Sequence, residues 1–208
     1  MKKTDIDRFF SAAAKEISHP IQIYLTGGTL AWFFGGSRPT QDIDFALKTQ
    51  GPWEETSRIL KELSLREGMP IEFSEDISRW GMVGYADFTR GARLYQSFGK
   101  IKVYLLDPIV WSVGKIGRFT SSDLDDLILV FKRQRPDWRK AVRLWASALR
   151  QSPRSSEQGL FVKKIHFLLS EHGREIWGRA FNPEMAQTYL LEKIKTQTAK
   201  RAVSSRNL

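Results

Sequence analysis

Two glycine pairs and an acidic doublet, crowded into the stretch YLTGGTLAWFFGGSRPTQDIDFAL between Tyr24 and Leu47, restrict this chain more than any other segment. The apolar run Ile21-Gln22-Ile23-Tyr24-Leu25 stops at Thr26-Gly27-Gly28-Thr29, which predicts a strand entering a tight turn. Leu30 to Phe34 predicts a short buried helix, with Gly35-Gly36 as its C-cap. Ser37-Arg38-Pro39-Thr40 then leads into Asp42-Ile43-Asp44-Phe45. Alternate residues of a strand share a face, so Asp42 and Asp44 are expected to point together. Two like charges side by side are costly unless a cation lies between them. Glycine lets the backbone turn where other residues cannot and lets a ligand approach closely. A helix starting near Thr29 would aim its free N–H groups at an anion there. A glycine pair alone signals only a turn; with the aspartates downstream, the combination suits a phosphate.

On either side of this stretch the pattern alternates between helix and strand. Ile6, Phe9, Phe10, Ala13, Ala14 and Ile17 recur at helical spacing over about Asp5 to Ser18, with Thr4 or Asp5 as cap, and Pro20 ends the run. Trp53 to Glu67 predicts a helix stopped by Gly68, and Pro70-Ile71-Glu72-Phe73 a short strand. Ser74 to Gln96 mixes aromatic residues with arginines and reads as strand pieces joined by loops. Lys100 to Leu106 is the clearest later strand. Asp107-Pro108 opens a helix through Ile116, and Ser121 or Ser122 caps the next one. From Pro136 onward the pattern is helical: Trp138 to Leu149, Gln158 to Leu169, Arg174 to Trp177 and Pro183 to Ile194. The tail carries Lys193, Lys195, Lys200, Arg201 and Arg206. The fold class expected is α+β, a mixed sheet flanked by helices with a C-terminal helical extension, divided into a core over residues 1–134 and a helical region with a basic tail over 135–208.

Composition narrows the chemistry. The 208 residues include no cysteine, so disulfides and thiolate metal sites are excluded and a reducing compartment fits. No signal peptide and no run long enough for a membrane are legible, so the expected location is cytoplasmic, with no membrane partner. The formal net charge of +10 favours anionic partners, nucleotides or nucleic acid among them. His19, His166 and His172 have no acids at ligand spacing, and the seven tryptophans are expected in the core.

Strand, Gly-Gly turn, short helix and then Asp-x-Asp on the next strand resembles the nucleotidyltransferase superfamily with the polymerase beta-like core. The likeness is nearest to small bacterial and archaeal proteins distantly related to the AbiEii-like and MenT-like toxin nucleotidyltransferases. It rests on Gly27, Gly28, Thr29, Arg38, Thr40, Asp42, Ile43 and Asp44, with a second block at Asp107-Pro108, Lys115-Ile116-Gly117-Arg118, Asp123 and Asp126. The resemblance implies transfer of a nucleoside monophosphate from a nucleoside triphosphate to an acceptor hydroxyl. RNA or tRNA stands among the acceptors, and a cognate toxin or antitoxin protein among the partners. It implies Mg²⁺ (or Mn²⁺) held by Asp42, Asp44 and a third carboxylate. Glu72 matches that third position best by order, Asp87 comes second, and Asp107 third because helix capping explains it. Gly27, Gly28, Thr29, Arg38, Thr40 and Lys115 make up the implied nucleotide-binding set. Arg38 reads equally as a loop arginine paired with a carboxylate, and Lys115 with Arg118 as ion-pair partners of Asp123 or Asp126. A catalytically inactive binding or antitoxin module on the same fold is the alternative, and it turns on whether a third acid joins the aspartate pair.

Overall fold

The computed structural model describes residues 2–36, 38, 40–77 and 83–204, with side chains up to Lys195. Arg79, Trp80 and Arg206 lie outside the described residues, as do the side chains of Lys200 and Arg201. The chain divides into two compact units, residues 1–79 with 87–107, and residues 80–86 with 108–208. The expected division at 134/135 therefore falls at Asp107/Pro108 in the structure, because the helix pair after Asp107 packs with the helices that follow it.

The first unit is built on a five-stranded mixed sheet of order β3-β2-β1-β5-β4. Its strands are β1 (Ile21–Leu25), β2 (Ile43–Thr49), β3 (Ile71–Ser74), β4 (Arg93–Phe98) and β5 (Ile101–Leu105). β1 runs antiparallel to β2 and parallel to β5, β2 runs parallel to β3, and β4 closes antiparallel on β5. Helix α1 (Lys3–Glu16) buries Ile6, Phe9, Phe10 and Ala13, the residues its spacing singles out. Its first turn is closed by Asp5, whose carboxylate accepts the Lys2 N–H at 2.7 Å. Phe10 meets Phe45 edge-on at 5.8 Å between ring centroids. Phe45 stacks on Phe73 at 5.3 Å, and Phe73 in turn meets Trp53 of helix α3 (Trp53–Glu67). One face of the sheet is thus the hydrophobic floor for α1 and α3. Truncating Phe10 there costs about 3–5 kcal/mol by the usual core scale.

Strand alternation sends Asp44 and Glu72 to the opposite face, along with Gln22 and Tyr24. Tyr24 is buried there between Tyr104, stacked at 5.1 Å, and Phe88, edge-on at 5.5 Å. Its hydroxyl donates to Gln22 Oε1 at 2.9 Å. Burial first, and then the neighbouring Tyr104, raise the Tyr24 pKa.

The second unit is helical: α4 (Pro108–Arg118), α5 (Ser121–Gln134), α6 (Trp138–Gln151), α7 (Ser156–Phe167), α8 (Gly173–Trp177) and α9 (Pro183–Ser204), with a turn of π-helix over Leu168–His172 joining α7 to α8. Trp111 and Trp145 lie at its centre. The Trp145 indole N–H, which needs a partner once buried, donates to Ser112 Oγ at 2.8 Å. Trp32, Trp53, Trp138 and Trp177 are only half-buried, so a core position describes two of the six described tryptophans. No helix among the described residues is long and apolar enough to cross a membrane.

Candidate metal centre

The site begins with a helix too short to stand alone. Helix α2 (Gly27–Phe33) starts two residues earlier than its pattern predicts, with Gly27 as its first residue at φ 55°. It ends in a Schellman arrangement: Gly36 N–H donates to Ala31 C=O and Gly35 N–H to Trp32 C=O, each at 2.8 Å. The second glycine pair therefore stops the helix as expected. The first pair does something its pattern did not disclose. A Cβ placed on Gly27 would lie 2.1 Å from Asp44 Oδ2, so the Asp44 carboxylate occupies the space a side chain would need. Gly28 then donates its backbone N–H to that same Oδ2 at 2.8 Å. The amide expected to hold a phosphate holds an aspartate.

Two threonines of the expected nucleotide-binding set likewise serve the acids. Thr29 is fully buried; its hydroxyl donates to Asp42 C=O at 2.9 Å and accepts from Asp44 N–H at 3.1 Å. It fixes the backbone on both sides of Ile43. Thr40 is nearly buried, and its hydroxyl lies 3.0 Å from Asp42 C=O and 3.1 Å from Asp42 Oδ1. Arg38 is exposed on the loop that precedes them.

The third carboxylate comes from strand register. In the parallel β2–β3 pair, Asp44 stands beside Glu72. Asp42, Asp44 and Glu72 are all half-buried, and each offers a carboxylate oxygen within 4.8 Å of the others. Asp87 is exposed and Asp107 sits at the start of α4; neither joins this group. The three acids form the one such group among the described residues. An all-oxygen donor set of three carboxylates fits a hard divalent cation such as Mg²⁺ or Mn²⁺, and it excludes the soft-ligand sites that sulfur would build. An ion held by these residues would neutralise the crowded charge and supply Lewis-acid chemistry.

Lys115, one of the expected nucleotide-binding residues, is paired with acids of the next helix. Its side chain is 3% exposed, and its ammonium donates to Asp123 Oδ1 at 3.0 Å and Asp126 Oδ2 at 2.6 Å. Arg118 adds a two-pronged contact to Asp123 at 2.6 and 2.7 Å. Thr120, not Ser121 or Ser122, caps α5, with its hydroxyl accepting from Asp123 N–H at 3.2 Å. Burial alone would raise the Asp123 pKa, but the Arg118 hydrogen bonds and the Lys115 charge, with Thr120, hold it well below the ordinary carboxylate range. The second sequence block is therefore a buried ion-pair clasp between α4 and α5. A lysine facing a nucleotide and a lysine facing two acids carry the same sequence signal, and only burial separates them.

Comparison of the chain with models of known protein families, with curated proteins and with solved structures found no match.

Proposed function

We propose that this protein is a metal-dependent nucleotidyltransferase that transfers a nucleoside monophosphate from a nucleoside triphosphate to an acceptor hydroxyl. The observation that carries the reading is the convergence of Asp42, Asp44 and Glu72, one carboxylate oxygen from each within 4.8 Å. The presence of the third acid favours turnover over a binding-only module, for which two isolated aspartates would suffice. The resemblance of the Gly-Gly, Asp-x-Asp order to the polymerase beta-like nucleotidyltransferases supplies the reaction class.

The residues divide the work. Asp42, Asp44 and Glu72 would hold Mg²⁺ or Mn²⁺ and, through it, the triphosphate. Gly27 and Gly28 leave room for Asp44 and aim it, while Thr29 and Thr40 hold the Asp42 backbone and carboxylate in place. Arg38, exposed on the loop before the acids, would meet the anionic triphosphate. The barrier falls mainly by positioning and charge neutralisation, with no protein nucleophile required.

The test is calorimetric titration of each nucleoside triphosphate with Mn²⁺ present and absent, followed by transfer of labelled nucleoside monophosphate to RNA. Metal-dependent binding and transfer are expected for the wild type and neither for Asp42→Asn, Asp44→Asn or Glu72→Gln. No binding by the wild type, or equal binding by the variants, would sink the proposal.

A further inference from the structure

The positive charge of this chain is not spread evenly. Residues 1–107 hold 14 Lys and Arg against 14 Asp and Glu, whereas residues 108–208 hold 19 against 9, so the whole surplus of ten lies in the helical unit. Two of those nine acids, Asp123 and Asp126, are buried in the clasp with Lys115 and Arg118 and offer nothing to the surface.

Part of the remaining surplus is gathered where α6 packs against α9, and it is held there in an unusual way. The Arg139 guanidinium lies over the Trp138 ring at 4.2 Å, and Lys193 lies over the Tyr189 ring at 4.6 Å. Arg143 donates to the Tyr189 hydroxyl at 3.1 Å. The two rings touch edge-on at 5.7 Å, so the three cations belong to one continuous patch. None of the three forms a salt bridge among the described residues; their contacts go to the rings and, from Arg139, to Met185 Sδ at 3.8 Å. A carboxylate partner would both fix and neutralise a cation. An aromatic ring fixes it and leaves its charge available. Side chains already ordered lose less entropy when a ligand arrives.

We infer that the α6/α9 face, through Arg139, Arg143 and Lys193 on the Trp138–Tyr189 pair, binds the phosphodiester backbone of a nucleic acid strand. Arginine's planar fork suits phosphate oxygens, and a line of cations along two packed helices suits a chain of phosphates better than a single anion. The inference draws on the charge of residues 108–208 and does not depend on metal chemistry at Asp42, Asp44 and Glu72.

The test uses the full chain and fluorescein-labelled 24-nucleotide RNA and DNA of one sequence, titrated by fluorescence anisotropy at several salt concentrations. Phosphatidylserine vesicles serve as a competing polyanionic surface. The triple variant Arg139→Gln/Arg143→Gln/Lys193→Gln is expected to bind at least tenfold more weakly. Its plot of log affinity against log salt should be shallower by about 2, the loss of three single-strand phosphate contacts. The variant Lys2→Gln/Lys15→Gln/Lys61→Gln, equal in charge removed but located in the other unit, should bind as the wild type does, and so should Asp42→Asn/Asp44→Asn. Preference for RNA over DNA, or the reverse, identifies which strand is the ligand. Equal loss in both triple variants, an unchanged salt slope in the first, or binding to vesicles with none to either strand would overturn the inference. Melting curves that match the wild type confirm that the substitutions leave the fold intact.

Discussion

Replacing Gly27 with alanine probes the site at its narrowest point. The residue sits at φ 55°, where an L side chain costs about 1–2 kcal/mol. The new Cβ would lie 2.1 Å from Asp44 Oδ2 and 2.6 Å from Asp44 Cβ, so the whole Asp44 side chain must retreat by about 1 Å to reach contact distance. That retreat breaks the bond from Gly28 N–H, now 2.8 Å long, and a hydrogen bond to a charged group is worth about 1.5–3 kcal/mol. Together the two losses are roughly 2.5–5 kcal/mol, which for a chain of this size lowers the melting temperature by about 5–20 °C. Asp44 also leaves the cluster it shares with Asp42 and Glu72, so Mn²⁺ affinity should fall at least tenfold, about 1.4 kcal/mol. The control is Gly28→Ala, whose Cβ would come no closer than 3.1 Å to Thr40 Oγ1 on a backbone of ordinary φ. It should lose only a fraction of either quantity. Differential scanning fluorimetry and Mn²⁺ calorimetry on both variants decide the matter. If Gly28→Ala is as damaging as Gly27→Ala, or if Gly27→Ala binds Mn²⁺ like the wild type, then Asp44 is not positioned by this turn.

The remaining expectations follow from the same contacts. Thr29→Val leaves the Asp44 N–H and Asp42 C=O without their shared hydroxyl and should cost about 1–3 kcal/mol in a melt, with Thr29→Ser recovering most of it. Lys115→Met takes the ammonium from two buried carboxylates and should cost about 3–5 kcal/mol, part of it restored by a second change, Asp126→Leu. Triphosphate affinity measured below the melting range should stay unchanged in Lys115→Met, since the lysine serves the clasp. The Asp123 carboxyl has a folded pKa depressed below its unfolded value, so its contribution to stability is complete above about pH 4 and is lost as the pH falls below that. Melts between about pH 2.5 and 6 should show that decline in the wild type, and a flatter acid limb in Asp123→Asn.

What the residues disclosed in advance depended on whether local pattern or distant contact decided the outcome. Helix α3 runs from Trp53 to Glu67 and stops at Gly68 in the left-handed region, as its periodicity and its glycine predict. The turn of π-helix at Leu168–His172 left no mark, since its residues suit an α-helix equally well. Strand β4 was legible only as one of the strand pieces expected over Ser74 to Gln96, without its bounds, for another reason. It lies at the sheet edge with Arg93, Leu94, Gln96 and Ser97 exposed, and a strand with so little buried face shows no clean alternation. At the site, Asp42 and Asp44 were legible because alternation alone pairs them. Glu72 could be ranked by order, but its place beside Asp44 is set by β2–β3 register across the intervening helix. Thr29 and Thr40 were read into the nucleotide-binding set, yet a hydroxyl turned to its own backbone looks the same in sequence as one turned to a ligand.

Strand β3 lies at the outer margin of the sheet, with β2 its one strand neighbour among the described residues. It contributes only Ile71–Ser74, and one of those four residues is the third acid. An ion gripped by Asp42, Asp44 and Glu72 would therefore act as a latch, fastening a short border strand to the body of the sheet. Peeling that strand away and releasing the ion would be a single event, so the lifetime of the loaded site would be governed by how often the border frays. The protein could then be tuned without touching a ligand: a change at Phe73, whose ring lies on Phe45 at 5.3 Å, would set how long the latch stays shut.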